Sequence, residues 1–303
     1  MFNKKSITYP VAYNFKNNSI IDITDVTEDN KSDLSCPQCK EKFIPVLNHQ
    51  SPHFKHKPNI NCTGSLESYL HWLTKEVFKQ IKEVEIPEIN DDDLPEKSRQ
   101  KFQQVYNNIV DSNISASFRG LFREGLNKNL CESKIVSIDK YDIEKIFKTE
   151  YGEIRADIVG VSNKRKIIIE PFFTNPIDQK KKKKLSSLNI STLSIDLNYF
   201  LSNYEKKLSL ESLKKFLISK KSKKWIYLNT EKCNNHIKNY EIYLNQTIFK
   251  YKRIISSIES KNSRIESLII ECNEKVDQIL KLKSEVSYME EKWIKNTNQD
   301  YDR

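Results

Sequence analysis

The sequence predicts an α/β protein, in which a mixed sheet flanked by helices follows a β-hairpin and zinc knuckle and precedes a long helix or coiled coil. Three observations lead to this fold class: strand-like runs around a helical segment between residues 131 and 196, Cys and His pairs between residues 36 and 62, and a three-four apolar repeat beyond residue 251. The expected regions are a hairpin and knuckle (1–64), a core (65–84 and 131–228), an acidic insertion (85–130), a helical region (229–296) and a tail (297–303).

The amino-terminal region combines a hairpin pattern with a metal-binding pattern. Residues 7–26 alternate and contain an Asn-Asn-Ser turn, which is typical of a hairpin. Cys36 and Cys39 then present two sulfurs from one tight turn, as in many zinc sites. Two ligand positions remain, and we favour His56 with Cys62 while keeping His53 as the alternative. Structural zinc binding contributes about 10–16 kcal/mol, enough to organise a segment with little apolar core.

The cysteine usage predicts a reducing compartment. The chain has six cysteines, and three of them lie outside the zinc pattern, at Cys131, Cys233 and Cys272. We find no signal peptide and no apolar run of membrane-spanning length, so a cytoplasmic location without membrane association is expected.

A helix is predicted directly after the knuckle, over residues 66–84, and Pro87 ends it. Glu67, His71 and Lys75 are four residues apart, so they project from one face of this helix. The same spacing also occurs in surface ion-pair ladders. Another helix is predicted within the acidic insertion, over residues 96–110.

Two carboxylates lie within strand-like runs of the core. Asp157 occurs in IRADIVG, and Glu170 follows three isoleucines in KIIIEPFF. Burying an unpaired carboxylate is unfavourable, so each of these residues needs a partner. Together with Glu67 they could hold Mg²⁺ or Mn²⁺, which prefer oxygen ligands. Such an ion binds a scissile phosphate and lowers the pKa of the attacking water.

The positive charge of the chain is concentrated in one region. The net charge is +10, and residues 178–224 carry thirteen lysines against four acidic residues. A basic region of this kind suits the phosphate backbone of nucleic acid. The lysine run at residues 180–184 is equally consistent with a solvated helix face.

The carboxy-terminal region carries a coiled-coil pattern. Its seam positions, which alternate steps of three and four, are Tyr251, Ile255, Ile258, Ile265, Ile269, Cys272, Val276, Ile279, Val286 and Trp293. Asn262 and Lys283 also fall in this seam, where polar residues can fix register and partner number. We expect self-association or a helical protein partner, the alternative being a long helix packed on its own domain.

Several of these motifs together resemble the CoiA-like competence protein family. They are the segments Cys36-Pro-Gln-Cys39, His53-Phe-Lys-His56, Cys62, Glu67-Ser68 with His71 and Lys75, Arg155-Ala-Asp157, Ile-Ile-Glu170 and residues 189–196. The resemblance covers residues 7–228 apart from the acidic insertion, and the zinc motif is its most specific part.

The resemblance implies a PD-(D/E)XK nuclease core, with a metal site formed by Glu67, Asp157 and Glu170. That superfamily pattern places Lys or Gln two residues after the second strand carboxylate, where this chain has Phe172. A lysine from elsewhere could compensate, and Lys75 is our first choice and Lys166 the second.

The expected function is therefore Mg-dependent hydrolysis of DNA phosphodiester bonds, in processing of foreign DNA or in defence against it. Activity could be weakened because Phe172 occupies the lysine position. The alternative is a non-catalytic DNA-binding module or a coiled-coil scaffold that retains the nuclease fold.

Overall fold

The structure is a computed structural model that describes residues 9–62, 64–114, 119, 129–174, 176–204 and 209–301. The predictions for the start of the hairpin, for part of the acidic insertion and for the last two residues of the tail lie outside the described residues. The chain is mixed α/β with several sheets and a long C-terminal helix, as predicted. It divides into two compact units, Met1–Asn108 with Ala116–Glu241 and Ile109–Ser115 with Ile242–Arg303.

Five short strands form the beginning of the first unit. They are β1 (Val11–Asn14), β2 (Ser19–Asp22), β3 (Leu34–Ser35), β4 (Phe43–Val46) and β5 (His53–His56). β1 and β2 form the predicted hairpin, whose turn includes Asn18 at a left-handed φ of 54° that Asn tolerates well. β3 pairs with β1, and β4 pairs with β5.

The first helix, α1, spans Leu66–Phe78 and begins at Ser65, whose side chain accepts the Ser68 N–H. The prediction that this helix extends to residue 84 was wrong. Residues Glu83–Ile86 instead form β6, which pairs antiparallel with β7 (Lys134–Ser137). The sequence Glu-Val-Glu-Ile alternates polar and apolar residues, so pairing with β7 buries Val84 and Ile86 on one side.

A five-stranded sheet is the centre of the first unit. Its strands are β8 (Lys140–Thr149), β9 (Gly152–Ser162), β10 (Arg165–Phe172), β11 (Thr192–Asp196) and β12 (Lys223–Tyr227). The order is β12-β11-β10-β9-β8, in which β10 and β11 are parallel and the other pairs are antiparallel. The strand-like runs predicted from the sequence correspond to β7–β11, whereas β12 was not predicted.

Helices cover this sheet and bury its apolar side chains in two clusters. α3 (Gln179–Ser187) connects β10 to β11, and α4 (Leu197–Tyr204) and α5 (Leu210–Ile218) lie between β11 and β12; α2 (Glu96–Asn113) is the predicted helix of the insertion. The larger cluster joins α1, α4 and α5 to sheet residues such as Ile169 and Leu193. The smaller cluster joins Leu185 of α3 to Ile154 and Ile168.

The last helix, α6, spans Thr230–Tyr301, so the predicted long helix is present. Within the second unit, Lys252 Nζ donates to Asn113 Oδ1 at 3.0 Å, and Val110, Leu244 and Ile248 are buried. From residue 251 to residue 291 the side chains are exposed, except for the half-buried Ile255. None of the described helices combines the length and the apolar character needed to cross a membrane.

Candidate functional site

Three cysteines and one histidine converge beside α1. The ligand atoms of Cys36, Cys39, His56 and Cys62 all lie within 4.8 Å of one another. The Sγ atoms of Cys36 and Cys62 are 4.0 Å apart, and Cys39 Sγ is 3.3 Å from His56 Nε2. Zn–S bonds of about 2.3 Å at the tetrahedral angle place two sulfurs about 3.8 Å apart. The cluster could therefore hold a metal such as zinc.

Local backbone geometry brings the two halves of this cluster together. The turn that carries Cys36 and Cys39 closes with a Lys40 N–H to Cys36 O bond of 2.9 Å, and Lys40 has a left-handed φ of 63°. His56 ends β5 opposite Phe43. The alternative ligand, His53, lies outside the cluster and bonds the Ser51 carbonyl through Nδ1 at 2.9 Å.

Two aromatic rings pack against the histidine of the cluster. The Tyr9 and Phe43 rings contact the His56 ring edge-on, at centroid distances of 5.5 and 4.8 Å. Burial raises the pKa of Cys36 to about 12, so its thiolate, the form that binds metal, needs a cation beside it. The donor set and its burial thus fit a closed structural zinc site.

The cluster is attached to α1 both through the chain and through packing. Cys62 lies four residues before Leu66, the first residue of α1. Tyr69 of α1 is fully buried, and its hydroxyl donates to Val11 O at 2.8 Å and accepts the Val11 N–H at 3.1 Å. The opposite side of the same helix carries Glu67 and His71.

The two predicted strand carboxylates meet in the central sheet. The β9–β10 register ends at Ile158 opposite Ile169, and one further step places Asp157 opposite Glu170. There the Asp157 backbone N–H donates to Glu170 Oε1 at 3.3 Å instead of to a strand carbonyl. Glu170 is 1% exposed and Asp157 is half-buried, so burial disfavours the ionised form of both carboxyl groups.

Two lysines from different helices neutralise this carboxylate pair. Lys181 of α3 contacts Glu170 Oε2 in a short ion pair and lies 3.7 Å from Asp157 Oδ2. Lys75 of α1 approaches from the other side, 3.0 Å from Asp157 Oδ1 and 2.9 Å from Glu144 Oε1 of β8. The cations thus flank Asp157 on both sides.

The environment moves the pKa values of the two carboxyl groups in opposite directions. Burial, followed by the charge of Asp157, raises the pKa of Glu170 to about 8. Burial also acts to raise the pKa of Asp157, but the hydrogen bond with Glu170 and the charges of Lys75 and Lys181 outweigh it, so that pKa is lowered. One carboxyl group of the pair thus holds a proton more tightly than the other, as in other carboxylate pairs.

The structure places the remaining predicted residues near this pair without assembling the expected three-carboxylate cluster. Glu67 Oε2 accepts a hydrogen bond of 3.1 Å from Thr174 Oγ1, just after β10. Burial lowers the pKa of His71, although the nearby Asp157 charge opposes this shift. Among the described residues, the only His, Cys, Asp or Glu group compact enough to hold a metal is the cysteine cluster.

The two lysines considered as replacements at the site lie at different distances from the carboxylate pair. Lys75 lies against Asp157, whereas Lys166 is exposed near the start of β10, four residues before Glu170. Phe172, at the position where the resemblance expects lysine, is half-buried opposite Asp196 of β11.

Sequence reasoning missed Lys181 and Glu144 as members of the site. Lys181 belongs to the lysine run, and the signal for its position is the N-cap Asp178, whose carboxylate accepts the Lys181 N–H. Glu144 has a left-handed φ of 53°, uncommon for a residue other than Gly and typical of functional positions. It lies opposite Asp157 in the only gap of the β8–β9 register, and no sequence pattern marks it.

Comparisons with family models, with curated proteins and with solved structures find no match for this chain.

Proposed function

We propose that this chain is a metal-dependent endonuclease that hydrolyses DNA phosphodiester bonds and has a PD-(D/E)XK-type core. One observation carries the proposal: Asp157 and Glu170 meet on adjacent strands with Lys181 against both of them. Two carboxylates and a lysine at one sheet position are the groups such hydrolysis requires. The strand order, with α3 connecting β10 to the parallel β11, is compatible with that fold.

In this proposal each residue of the site has a distinct chemical role. Asp157 and Glu170, joined by Glu67 of α1, would supply oxygen ligands for Mg²⁺ or Mn²⁺, and the ion would contribute positive charge for the scissile phosphate and for a more acidic attacking water. Lys181 stabilises the negative charge that develops on the phosphate. His71 is neutral at pH 7, because burial lowers its pKa, and so can accept a proton.

Lys181 is our candidate for the lysine that the superfamily pattern lacks at Phe172. Lys75, the first choice from the sequence, is less suited to this role because it is shared between Asp157 and Glu144. Lys75 instead acts as a positioning residue that holds Asp157 ionised.

We further propose that Zn²⁺ occupies the cluster of Cys36, Cys39, His56 and Cys62 as a structural ion. Cys62 lies four residues before α1, and the Tyr9 ring contacts both the His56 ring and the Tyr69 ring of α1. Zinc binding would therefore fix the position of Glu67 and would not itself take part in hydrolysis.

A second function, DNA binding without cleavage, is favoured by the same ion pairs. Lys75 and Lys181 already neutralise Asp157 and Glu170, so the two ammonium groups could stand permanently where a nuclease binds its metal ion. A scaffold built on α6 belongs to the same class. A cleavage assay with variants of Asp157 and Glu170 distinguishes catalysis from DNA binding alone and from a scaffold role.

We also propose that α6 mediates self-association through a second copy of the chain. The seam residues Ile258, Ile269 and Ile279 are 52–62% exposed. Three further apolar residues precede seam positions by one residue and widen the stripe, namely Ile254, Leu268 and Leu282. A stripe of this width is typical of helices that pack against more than one neighbour. Balanced charges beyond residue 251, ten of each sign, allow identical helices to pair.

The test is cleavage of supercoiled plasmid and single-stranded DNA with Mg²⁺ or Mn²⁺, comparing the wild type with Asp157→Asn and Glu170→Gln. Both variants should lose cleavage and retain DNA binding, since they keep the side-chain shapes and remove the carboxylate charge that would bind the metal ion. Equal cleavage by all three proteins would exclude the proposed site. Binding without cleavage by the wild type would favour the non-catalytic function.

A further inference from the structure

A cavity of about 560 Å³ lies at the other end of the central sheet from the carboxylate pair. Its lining includes Lys166 near the start of β10, four residues before Glu170, which corresponds to about 13 Å along a strand. β7, β12 and the first turns of α6 contribute the other walls, and all lining residues belong to the first unit. The volume is in the range of small-molecule binding sites.

One side of this cavity is strongly cationic. Lys134, Arg165, Lys166 and Lys232 line it, and the lining contains no Asp or Glu. Within the described part of the chain, the side-chain nitrogens of these four residues form no ion pair and no hydrogen bond. The charge of Asp142 acts on Lys166, but no carboxylate lines the cavity, so the four cations repel one another and a bound anion would reduce this repulsion.

Lys232 is the deepest of these cations. Burial, and then the charges of Arg165 and Lys134, lower its pKa. The pKa of His236, one turn further along α6, is also lowered by burial and by the charges of Lys134 and Lys232. A bound phosphate would oppose both shifts, because it favours the charged forms of Lys232 and His236.

Six apolar residues also line the cavity, namely Ile86, Ile89, Val136, Ile167, Trp225 and Leu228. Trp225 is held in place because its indole N–H donates to the Glu88 carbonyl at 3.1 Å. A fixed indole beside aliphatic side chains can pack against a planar, weakly polar group such as a nucleobase.

A second cavity of about 350 Å³ adjoins the first and shares Arg165, Lys166 and Lys232 with it. Its lining adds Lys164 of the β9–β10 turn, which has a left-handed φ of 66°, and one carboxylate, Glu231. Three of the four cations of the first cavity therefore border both cavities.

We propose that this cavity binds a nucleoside phosphate, with the base against the wall that contains Trp225 and the phosphate on Lys134, Arg165, Lys166 and Lys232. A free nucleotide and the terminal nucleotide of a nucleic acid have this chemistry in common. The cavity does not include Asp157 or Glu170, so binding here does not depend on the proposed nuclease activity.

The test is calorimetric titration of the full-length protein, without added divalent cations, with AMP, ATP, inorganic phosphate and one oligonucleotide carrying either a 5′-phosphate or a 5′-hydroxyl. Arg165→Ala and Lys232→Met should weaken nucleotide binding about tenfold or more, because each removes a charge-assisted bond to phosphate. Lys182→Ala, on an exposed lysine outside the cavity, is the matched control. Lys166→Ala, at an exposed position, provides a second cavity variant if Lys232→Met is poorly folded.

Weakened binding of AMP or ATP in the cavity variants supports the proposal with a free nucleotide as ligand. The same pattern with the 5′-phosphorylated oligonucleotide alone supports it with a nucleic acid end. No binding of any probe, binding of inorganic phosphate as tight as that of AMP, or equal affinity in all variants overturns it. Asp157→Asn should bind the nucleotide as tightly as the wild type does. Nucleotide binding can therefore be confirmed or refuted independently of the proposed nuclease activity.

Discussion

Replacing Lys181 by Met separates a catalytic lysine from one that only neutralises charge. Met keeps a flexible apolar stem of similar reach and removes the ammonium group that contacts Glu170 and lies 3.7 Å from Asp157. If Lys181 stabilises the transition state, cleavage should slow markedly. If Lys181 only substitutes for a metal ion, its removal should leave cleavage unchanged or improve it.

The size of the effect follows from the geometry. Two unit charges about 4 Å apart interact by about 4 kcal/mol at an effective dielectric constant of about 20. The Lys181 side chain is 33% exposed, so solvent screening reduces this value. Loss of one preorganised electrostatic group from an active site slows turnover by about 10²–10³-fold, or about 2.7–4 kcal/mol. We expect a decrease of about 10²-fold in the rate of cleavage by Lys181→Met.

The variant should still fold. Removing one partner of a buried ion pair costs about 3–5 kcal/mol when the other partner stays charged. Glu170 has its pKa raised to about 8 and can take up a proton near neutral pH, so the loss of stability should be smaller. Thermal melting at pH 7 checks this expectation.

The assay is single-turnover cleavage of plasmid DNA with Mg²⁺, with Lys182→Met as the matched control. Lys182 is the next residue of the same helix and is exposed, so its replacement removes the same charge from the lysine run without changing the carboxylate pair. A Lys181→Met protein that cleaves as fast as Lys182→Met and the wild type refutes the catalytic role of Lys181.

The purified protein should contain about one zinc ion per chain by elemental analysis. Cys62→Ser should lose the zinc ion and melt at a lower temperature, whereas Cys131→Ser should keep the zinc ion and the melting temperature of the wild type. Equal zinc content in the two variants would contradict the ligand assignment. Lys223 is buried and donates to two backbone carbonyls, and burial lowers its pKa to about 7. Between pH 7 and about 10.4 the unfolded chain therefore binds more protons than the folded chain does. The free energy of unfolding should rise with pH by up to about 1.4 kcal/mol per pH unit in that window. Lys223→Met should remove this slope in melts at pH 7, 8.5 and 10, and a parallel slope in both proteins would exclude Lys223 as its source. Ile269→Lys should convert the associated protein to a monomer in sedimentation equilibrium, with Ser267→Lys outside the seam as control, and a monomeric wild type would contradict self-association.

Local patterns predicted the parts of this protein that depend on short-range chemistry. The Cys-x-x-Cys turn presents its sulfurs wherever it folds, so the cluster of Cys36, Cys39, His56 and Cys62 could be proposed from spacing. Alternation within IRADIVG and the apolar run before Glu170 predicted β9 and β10, and the three-four repeat predicted the long helix. The association of that helix with a second copy remains a prediction.

The sequence pattern gave no correct or unique answer where one segment fits two structures or two residues fit one role. Residues 79–86 continue the apolar period of α1 well enough for a helix, yet pairing with β7 makes Glu83–Ile86 a strand. The same limit applies to the choice of metal ligand, because His53 and His56 differ only in position on β5. The fold orients His56 towards the cysteines and His53 towards Ser51.

The sequence by itself determined which chemical groups this protein has: soft metal ligands near its start, carboxylates in buried strands, a lysine-rich helix and an apolar seam. Only the tertiary structure decided which lysine meets Glu170. The five consecutive lysines of α3 are equivalent in sequence, but packing of Leu185 against the sheet orients Lys181 inwards and leaves Lys182 exposed. Periodicity sets the side on which a residue can lie, whereas long-range packing sets what lies opposite it.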